Sequence, residues 1–192
     1  LEAGRHWPRG LSLWLNLAPA ELANERLVET IAEALERFGV DASRIVVEVT
    51  ESSVIQGNGG AVETMRRLRE LGAALTIDDF GTGYSSLSRL AEFPIESLKI
   101  PKPFVDKLVG EEADETFVDA ILRLGESLGL STVAEGIEHH AQAERLRQLG
   151  CTLGQGFLFG RPAPAEEVEP LLGLQDEPNR PLGVPAVLAQ SA

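Results

Sequence analysis

Short apolar, β-branched segments alternate with helix-period segments along this chain, and that alternation restricts its fold more than any other feature. The strand candidates are Leu11 to Leu17, Ile45 to Thr50, Ala74 to Asp78, Ser97 to Ile100, Thr132 to Ala134 and Thr152 to Leu153. Between the first two, Leu27, Ile31, Leu35 and Phe38 recur on one helical face, and Val62, Met65, Leu68 and Leu71 do so after the second. Phe117, Ile121, Leu124 and Leu128 mark a third helix, and Leu146 with Leu149 a shorter fourth. Gly39, Gly72, Gly129 and Gly150 each stand just past a helical run, where a glycine stop belongs. Such alternation implies parallel strands joined by right-handed crossovers. One domain is expected over residues 1–172. The rest, 173–192, lacks periodicity from Pro178 onward and is expected to be a disordered tail.

Six strands with helices between them fit either an open doubly wound sheet or most of a barrel. The polar residues discriminate. Asn16 lies near the end of the first strand and Glu48 near the end of the second. Asp78 and Asp79 end the third, Lys99 falls late in the fourth, Glu135 ends the fifth and Gln155 follows the sixth. Polar groups at the carboxyl ends of nearly every strand are what the active face of a (β/α)₈ barrel requires, whereas an open sheet concentrates its site at one switch point. The reading is therefore α/β, a TIM-type (β/α) barrel with six of its eight strands visible. The other two are expected before Leu1, which is not an initiator Met, so the chain is expected to start inside a longer protein.

Leu75-Thr76-Ile77-Asp78-Asp79-Phe80-Gly81-Thr82-Gly83 carries the sharpest chemical signal. An apolar strand runs into two adjacent carboxylates, and a glycine-rich turn follows. Adjacent carboxylates repel, so a fold keeps both only with positive charge nearby; a divalent cation, or a pair of them, is a common solution. An acidic turn capping a helix is the plainer alternative.

Composition narrows the function classes. A formal charge of −13 argues against a protein that coats DNA or RNA phosphates, which needs a basic face. It leaves room for a small phosphorylated ligand reached through metal ions. One cysteine, Cys151, excludes an intrachain disulfide framework and fits a reducing cytoplasm. No apolar run approaches the length of a membrane span, and no signal peptide opens the sequence. His139 and His140 read as surface residues, Cys151 as a small buried hydrophobe, and Trp7 and Trp14 as packing residues.

Six segments, taken together, resemble the EAL domain family, whose members hydrolyse cyclic di-GMP. They are Asn16-Leu17 with Pro19; Val47-Glu48-Val49-Thr50-Glu51-Ser52; Asp78-Asp79-Phe80-Gly81-Thr82-Gly83-Tyr84-Ser85-Ser86-Leu87; Leu98-Lys99-Ile100; Ala134-Glu135-Gly136-Ile137-Glu138; and Gln155-Gly156-Phe157. They come in the family's order with family-like spacing, from about residue 10 to about residue 172. Two departures stand out. The signature Glu-Ala-Leu tripeptide, with the family's first metal-binding glutamate, is expected upstream, because Glu2-Ala3 lacks a surrounding strand pattern. Pro101 occupies the position after Leu-Lys-Ile where the family usually has an aspartate.

The resemblance implies a metal-dependent phosphodiesterase that converts cyclic di-GMP to linear pGpG in bacterial second-messenger signalling. It implies two Mg²⁺ or Mn²⁺ ions held by Asn16, Glu48, Asp78 and Asp79, with Asp78 bridging and Asp79 on the second ion. Glu135 resembles the general base, and Lys99 the cation that holds the attacking water or offsets charge on phosphate. Glu138 and Gln155 resemble groups beside the ligands or the substrate. Glu51 resembles the glutamate that braces the loop Phe80 to Ser86 through its backbone N–H groups. Taken without the family, Asn16 reads as a strand-end turn residue, Glu51 as a helix cap, and Lys99 as a surface lysine. The implied partners are cyclic di-GMP, upstream sensor or cyclase domains and a second copy of the chain. An inactive cyclic di-GMP receptor or protein-interaction module is the alternative, favoured by Pro101 and the absent glutamate; a truncated product without independent activity is a third.

Overall fold

The computed structural model describes residues 1, 7–8, 10–56, 60–82, 90, 92–110 and 113–168. The expected tail, the Glu2-Ala3 pair and residues 83–87 of the glycine-rich segment lie outside them.

Among the described residues, six strands form one parallel sheet: β1 (Leu13–Leu17), β2 (Ile45–Thr50), β3 (Ala74–Asp78), β4 (Ser97–Ile100), β5 (Ser131–Ala134) and β6 (Leu153–Gly154). Their spatial order is their sequence order. Each connection steps to the adjacent position and never reverses, which is the winding of a TIM-type barrel and not of a doubly wound sheet. The helices are α1 (Pro19–Leu22), α2 (Leu27–Phe38), α3 (Glu51–Gln56), α4 (Gly60–Leu71), α5 (Lys102–Val105), α6 (Thr116–Leu128), α7 (His140–Gln148) and α8 (Ala165–Val168).

Side-chain parity divides each strand between two faces. In β2, Ile45, Val47 and Val49 are fully covered and join Ile31 and Leu35 of α2 and Met65 and Leu68 of α4 in the apolar core. Glu48 lies between them in sequence and therefore faces the inner side of the sheet. The register carries it into line with Asn16 of β1 and Thr76 of β3. Thr76 is itself sealed by a hydrogen bond from its Oγ1 to the Ser97 carbonyl (3.1 Å).

The anticipated glycine stops are present. Gly39 sits at φ 64°, and the next residue, Val40, donates its N–H to the Leu35 carbonyl (3.0 Å). Gly129 repeats the arrangement, with Leu130 donating to Gly125 (2.8 Å). The left-handed glycine satisfies the last carbonyls of the helix and turns the chain into the next strand.

Strand ends differ from the sequence reading by one or two residues. Leu11 stays outside β1 because its N–H goes to the Pro8 carbonyl (3.0 Å) and its carbonyl accepts from Arg44 Nε (3.0 Å). The short α5 was not expected. Four residues hold too little periodicity to be seen, and Pro103 suits a first turn, where an N–H has no intrahelical acceptor.

Gly156 follows β6 where the chain crosses Ile137. A Cβ there falls onto the Ile137 carbonyl and amide, both of which are rigid backbone. A Cβ on Gly39 meets nothing within 4 Å and brings only the cost of a left-handed residue. Gly156→Ala is therefore expected to destabilise the protein by about 3 kcal/mol and Gly39→Ala by about 1 kcal/mol. Urea unfolding of the two variants, read at equal m-value, checks the difference.

Candidate active site

The site begins where β3 ends. Asp78 is the last residue of the strand, and Asp79 turns into the left-handed region at φ 53°, the one non-glycine residue there among those described. Aspartate tolerates that conformation better than most residues because its short side chain bonds locally. The turn is held by Asp79 N–H donating to Asp78 Oδ1 (2.9 Å) and by Thr82 Oγ1 donating to the Asp79 carbonyl (2.8 Å). Phe80 is buried behind it as an apolar anchor. In consequence, carboxylate oxygens of Asp78, Asp79 and Glu135 all lie within 4.8 Å of one another.

Lys99 enters this cluster from β4. Its side chain is 2% exposed, and its Nζ lies 2.8 Å from Glu48 Oε2, 3.5 Å from Asp78 Oδ1 and in direct contact with Glu135 Oε1. Three strands thus deliver three carboxylates to one ammonium group. Gln155, just beyond β6, donates from Nε2 to Glu135 Oε1 (2.8 Å). The same Glu135 oxygen therefore takes both partners.

Burial and charge act in opposite directions on these groups. Burial pushes the Glu135 carboxyl up to about 7; Lys99 opposes that rise and the charge of Asp78 adds to it. Glu48 is raised by burial, with Lys99 opposing. Asp79 is raised by burial and by the charge of Asp78. Burial pulls Lys99 down, but Glu135, Glu48 and Asp78 together outweigh it and hold the ammonium above its ordinary value. Four carboxylates facing one ammonium leave an excess of negative charge in a partly dehydrated space.

The remaining residues singled out from the sequence fall at different distances from this centre. Glu51, 4% exposed, accepts the Gly81 N–H on Oε2 (2.8 Å), which ties α3 to the turn after the paired aspartates. Asn16 stands beside Glu48 in the β1–β2 register and is exposed. Glu138 is joined to Lys102, whose Nζ lies 3.1 Å from Glu138 Oε1 and 2.9 Å from Asp106 Oδ1. Lys102 and the buried Gln142 escaped the sequence reading. The Gln142 Oε1 accepts the N–H groups of Glu138 and His139, and its Nε2 donates to Asp106. The one sequence signal for Gln142 was a polar residue on the inward face of a short helix. His139 and His140 are exposed, Cys151 is buried with its thiol pushed up by that burial, and Trp7 is buried, as expected. No helix among the described residues is long and apolar enough to cross a membrane.

The residues present fit a hard divalent cation. Every donor that converges here is a carboxylate or amide oxygen, the set preferred by Mg²⁺ and Mn²⁺. Two buried oxygens at the site, Glu48 Oε1 and Gln155 Oε1, have no hydrogen-bond partner. A cation satisfies such orphaned acceptors and the excess charge together.

Comparison with known proteins agrees with the fold. The EAL domain family matches residues 1–162. The cyclic di-GMP phosphodiesterase RocR of Pseudomonas aeruginosa is 38% identical over 156 residues, covering 81% of this chain and 40% of RocR. The PaMucR phosphodiesterase, solved as a cyclic di-GMP complex, superposes with a TM-score of 0.77 at 41% identity, over 82% of this chain and 64% of that one. BlrP1 of Klebsiella pneumoniae, solved with manganese and cyclic di-GMP, gives a TM-score of 0.74 at 33% identity, over 83% of this chain and 41% of that one. The chain belongs to the EAL domain family. It spans between 20% and 40% of the length of such curated relatives.

Two outcomes follow from the electrostatics. Lys99→Met leaves buried carboxylates without their cation and is expected to cost about 3 kcal/mol at pH 8. The loss shrinks at pH 5, where the raised carboxyls take up protons; denaturant midpoints at the two pH values test this. Glu135 itself has a folded-state pKa above its ordinary value. Its contribution to stability is therefore full below about pH 4.5 and is lost as pH rises through about 7. In EDTA, the melting temperature should fall across that window, and Glu135→Gln should flatten the fall. Added Mn²⁺ should raise the melting temperature more at pH 8 than at pH 6, because protons on the raised carboxyls remove the negative charge that attracts the cation.

Proposed function

We propose that this chain carries a metal-dependent phosphodiesterase site that hydrolyses cyclic di-GMP to linear pGpG. The observation that carries the reading is the convergence of Asp78, Asp79 and Glu135 within 4.8 Å around the buried Lys99. The names of RocR, PaMucR and BlrP1 supply the substrate class. Asn16, Glu48, Asp78 and Asp79 are the residues assigned to hold two Mg²⁺ or Mn²⁺ ions. Bound there, such ions lower the pKa of a water molecule and neutralise phosphoryl oxygens.

The chain's own groups do the rest. Glu135, with Oε1 held by Lys99 and Gln155, is the acceptor for a proton from the attacking water. A pKa near 7 suits that exchange at neutral pH. Lys99 carries the compensating positive charge as negative charge grows on phosphate. The water oxygen bonds to phosphorus, the bond from phosphorus to the 3′ oxygen breaks, and the ring opens to a 5′-phosphate and a 3′-hydroxyl. Glu51 keeps the Asp78–Asp79 turn in place through Gly81.

Residues 1–172 are assigned to this domain and 173–192 to a tail. The small share of its relatives that the chain spans supports additional sensor or cyclase domains in the complete protein. Pro101 supports a second reading, a receptor that binds cyclic di-GMP without cleaving it. It is buried, brings no carboxylate to the end of β4, and its carbonyl instead caps the following helix.

Turnover of cyclic di-GMP to pGpG with Mg²⁺ or Mn²⁺ separates the readings. Activity is expected, and Asp78→Asn should lower it by about a hundredfold or more. A folded, Mn²⁺-loaded protein that binds cyclic di-GMP without turnover overturns the enzymatic reading and establishes the receptor.

A further inference from the structure

Asp79 is in the left-handed region at φ 53°, and beyond the local bonds with Asp78 and Thr82 its turn is held by residues from outside it. One holder is Glu51, which accepts the Gly81 N–H (2.8 Å). A second lies opposite. The Phe117 ring from α6 points its tip at Gly81, with Cζ nearest and Cε1 and Cε2 at 3.2 and 3.3 Å from where a Cβ would stand. Only a residue without Cβ fits between that ring and the turn, and Gly81 also needs its φ of 86°.

Phe117 is itself supported. Its ring stacks on Phe104 of α5 with centroids 3.6 Å apart and planes 16° from parallel. Phe104 stands where it does because the Pro101 carbonyl accepts its N–H (3.0 Å), and Pro101 is set at φ −63° by its ring. A line of contacts therefore runs from the end of β4 through Pro101, Phe104 and Phe117 to Gly81. It meets there the carboxylate of Glu51 coming from the end of β2.

We infer that Phe117, seated by Phe104 and Pro101, is a positioning residue that presses Gly81 onto Glu51 and so fixes the carboxylates of Asp78 and Asp79 for the metal ions. Pro101 then has a function in this chain distinct from that of the aspartate it replaces. It brings no ligand, but it rigidifies the first turn that carries Phe104. The inference deepens the metal-dependent reading above and, for its effect on the metals, rests on it.

Hydrogen exchange at the Gly81 amide tests the brace without any metal. The amide should be protected in the wild type. Phe117→Ala, which removes the ring, should speed its exchange about tenfold or more. Phe117→Tyr should do so as well, because it keeps the stack with Phe104 but drives a hydroxyl from Cζ into Gly81. Ile121→Val, buried on the same helix one turn beyond Phe117, should cost some stability and leave Gly81 exchange unchanged. In parallel, Mn²⁺ affinity measured by electron paramagnetic resonance should fall about tenfold in both Phe117 variants and hold in Ile121→Val. Wild-type Gly81 exchange in both Phe117 variants overturns the brace. Loss of Mn²⁺ affinity in Ile121→Val equal to that in the Phe117 variants also overturns it, since general stability then explains the effect. A wild-type protein that binds no Mn²⁺ overturns the metal-dependent reading, and Gly81 exchange alone then decides whether the brace exists.

Discussion

The ammonium of Lys99 makes the rest of the site possible. Placing Glu48, Asp78 and Glu135 together inside a fold opposes both their hydration and their mutual repulsion, and one buried cation touching all three offsets part of that cost. The offset is partial by design of the charge count. Glu48, Glu135 and Asp79 remain raised above their ordinary values, so the protein alone holds their charged forms at a cost that a bound divalent cation would offset. Stability and function are opposed at this point. The groups that would bind metal are those that weaken the metal-free fold as pH rises.

The sheet delivers these groups by register. Asn16 aligns with Glu48, Glu48 with Thr76, and Thr50 with Asp78, so successive strands bring their polar residues to one rim. The other face of each strand is spent on apolar contact with the helices: Val47 and Val49 are fully covered, and so are Met65 and Leu68 from α4. A shift of one residue in any pairing turns a carboxylate into the core and a valine into the site, which is why the register is strongly specified. The turns beyond the strands are secured separately, by Glu51 on Gly81 and by Gln142 on the Glu138 and His139 amides.

Much of this was legible beforehand, for physical reasons that differ by element. Strands β2, β3 and β4 were read at their observed limits because β-branched runs stop abruptly at polar or glycine-rich turns. The glycine stops were legible because an αL residue at a helix end favours glycine so strongly. Asp78, Asp79, Lys99 and Glu135 were singled out by their places at strand ends and by family resemblance, and the fold brings them into contact. The helix Lys102–Val105 escaped because one turn carries no period. Glu138 met an unexpected partner, since nothing local in the sequence pairs it with Lys102 at the start of α5. The stack of Phe104 on Phe117 was equally hidden, although Phe117 had been read as part of a helical face.

By itself, the sequence determined the six strands and the four longer helices, their parallel order, the barrel-type winding and the set of polar residues at the strand ends. All of these follow from short-range chemistry: side-chain period, β-branching, glycine at left-handed positions and acidic residues beside apolar runs. The tertiary structure alone decided which oxygen of Glu135 is engaged, that Lys99 touches three carboxylates at once, and that Gly81 lies between a carboxylate and an aromatic ring. Those facts depend on angstrom-scale distances between residues 20 to 51 positions apart. Only the register of neighbouring strands and the packing of helices on them fix such distances, because electrostatics and packing act through space and not along the chain.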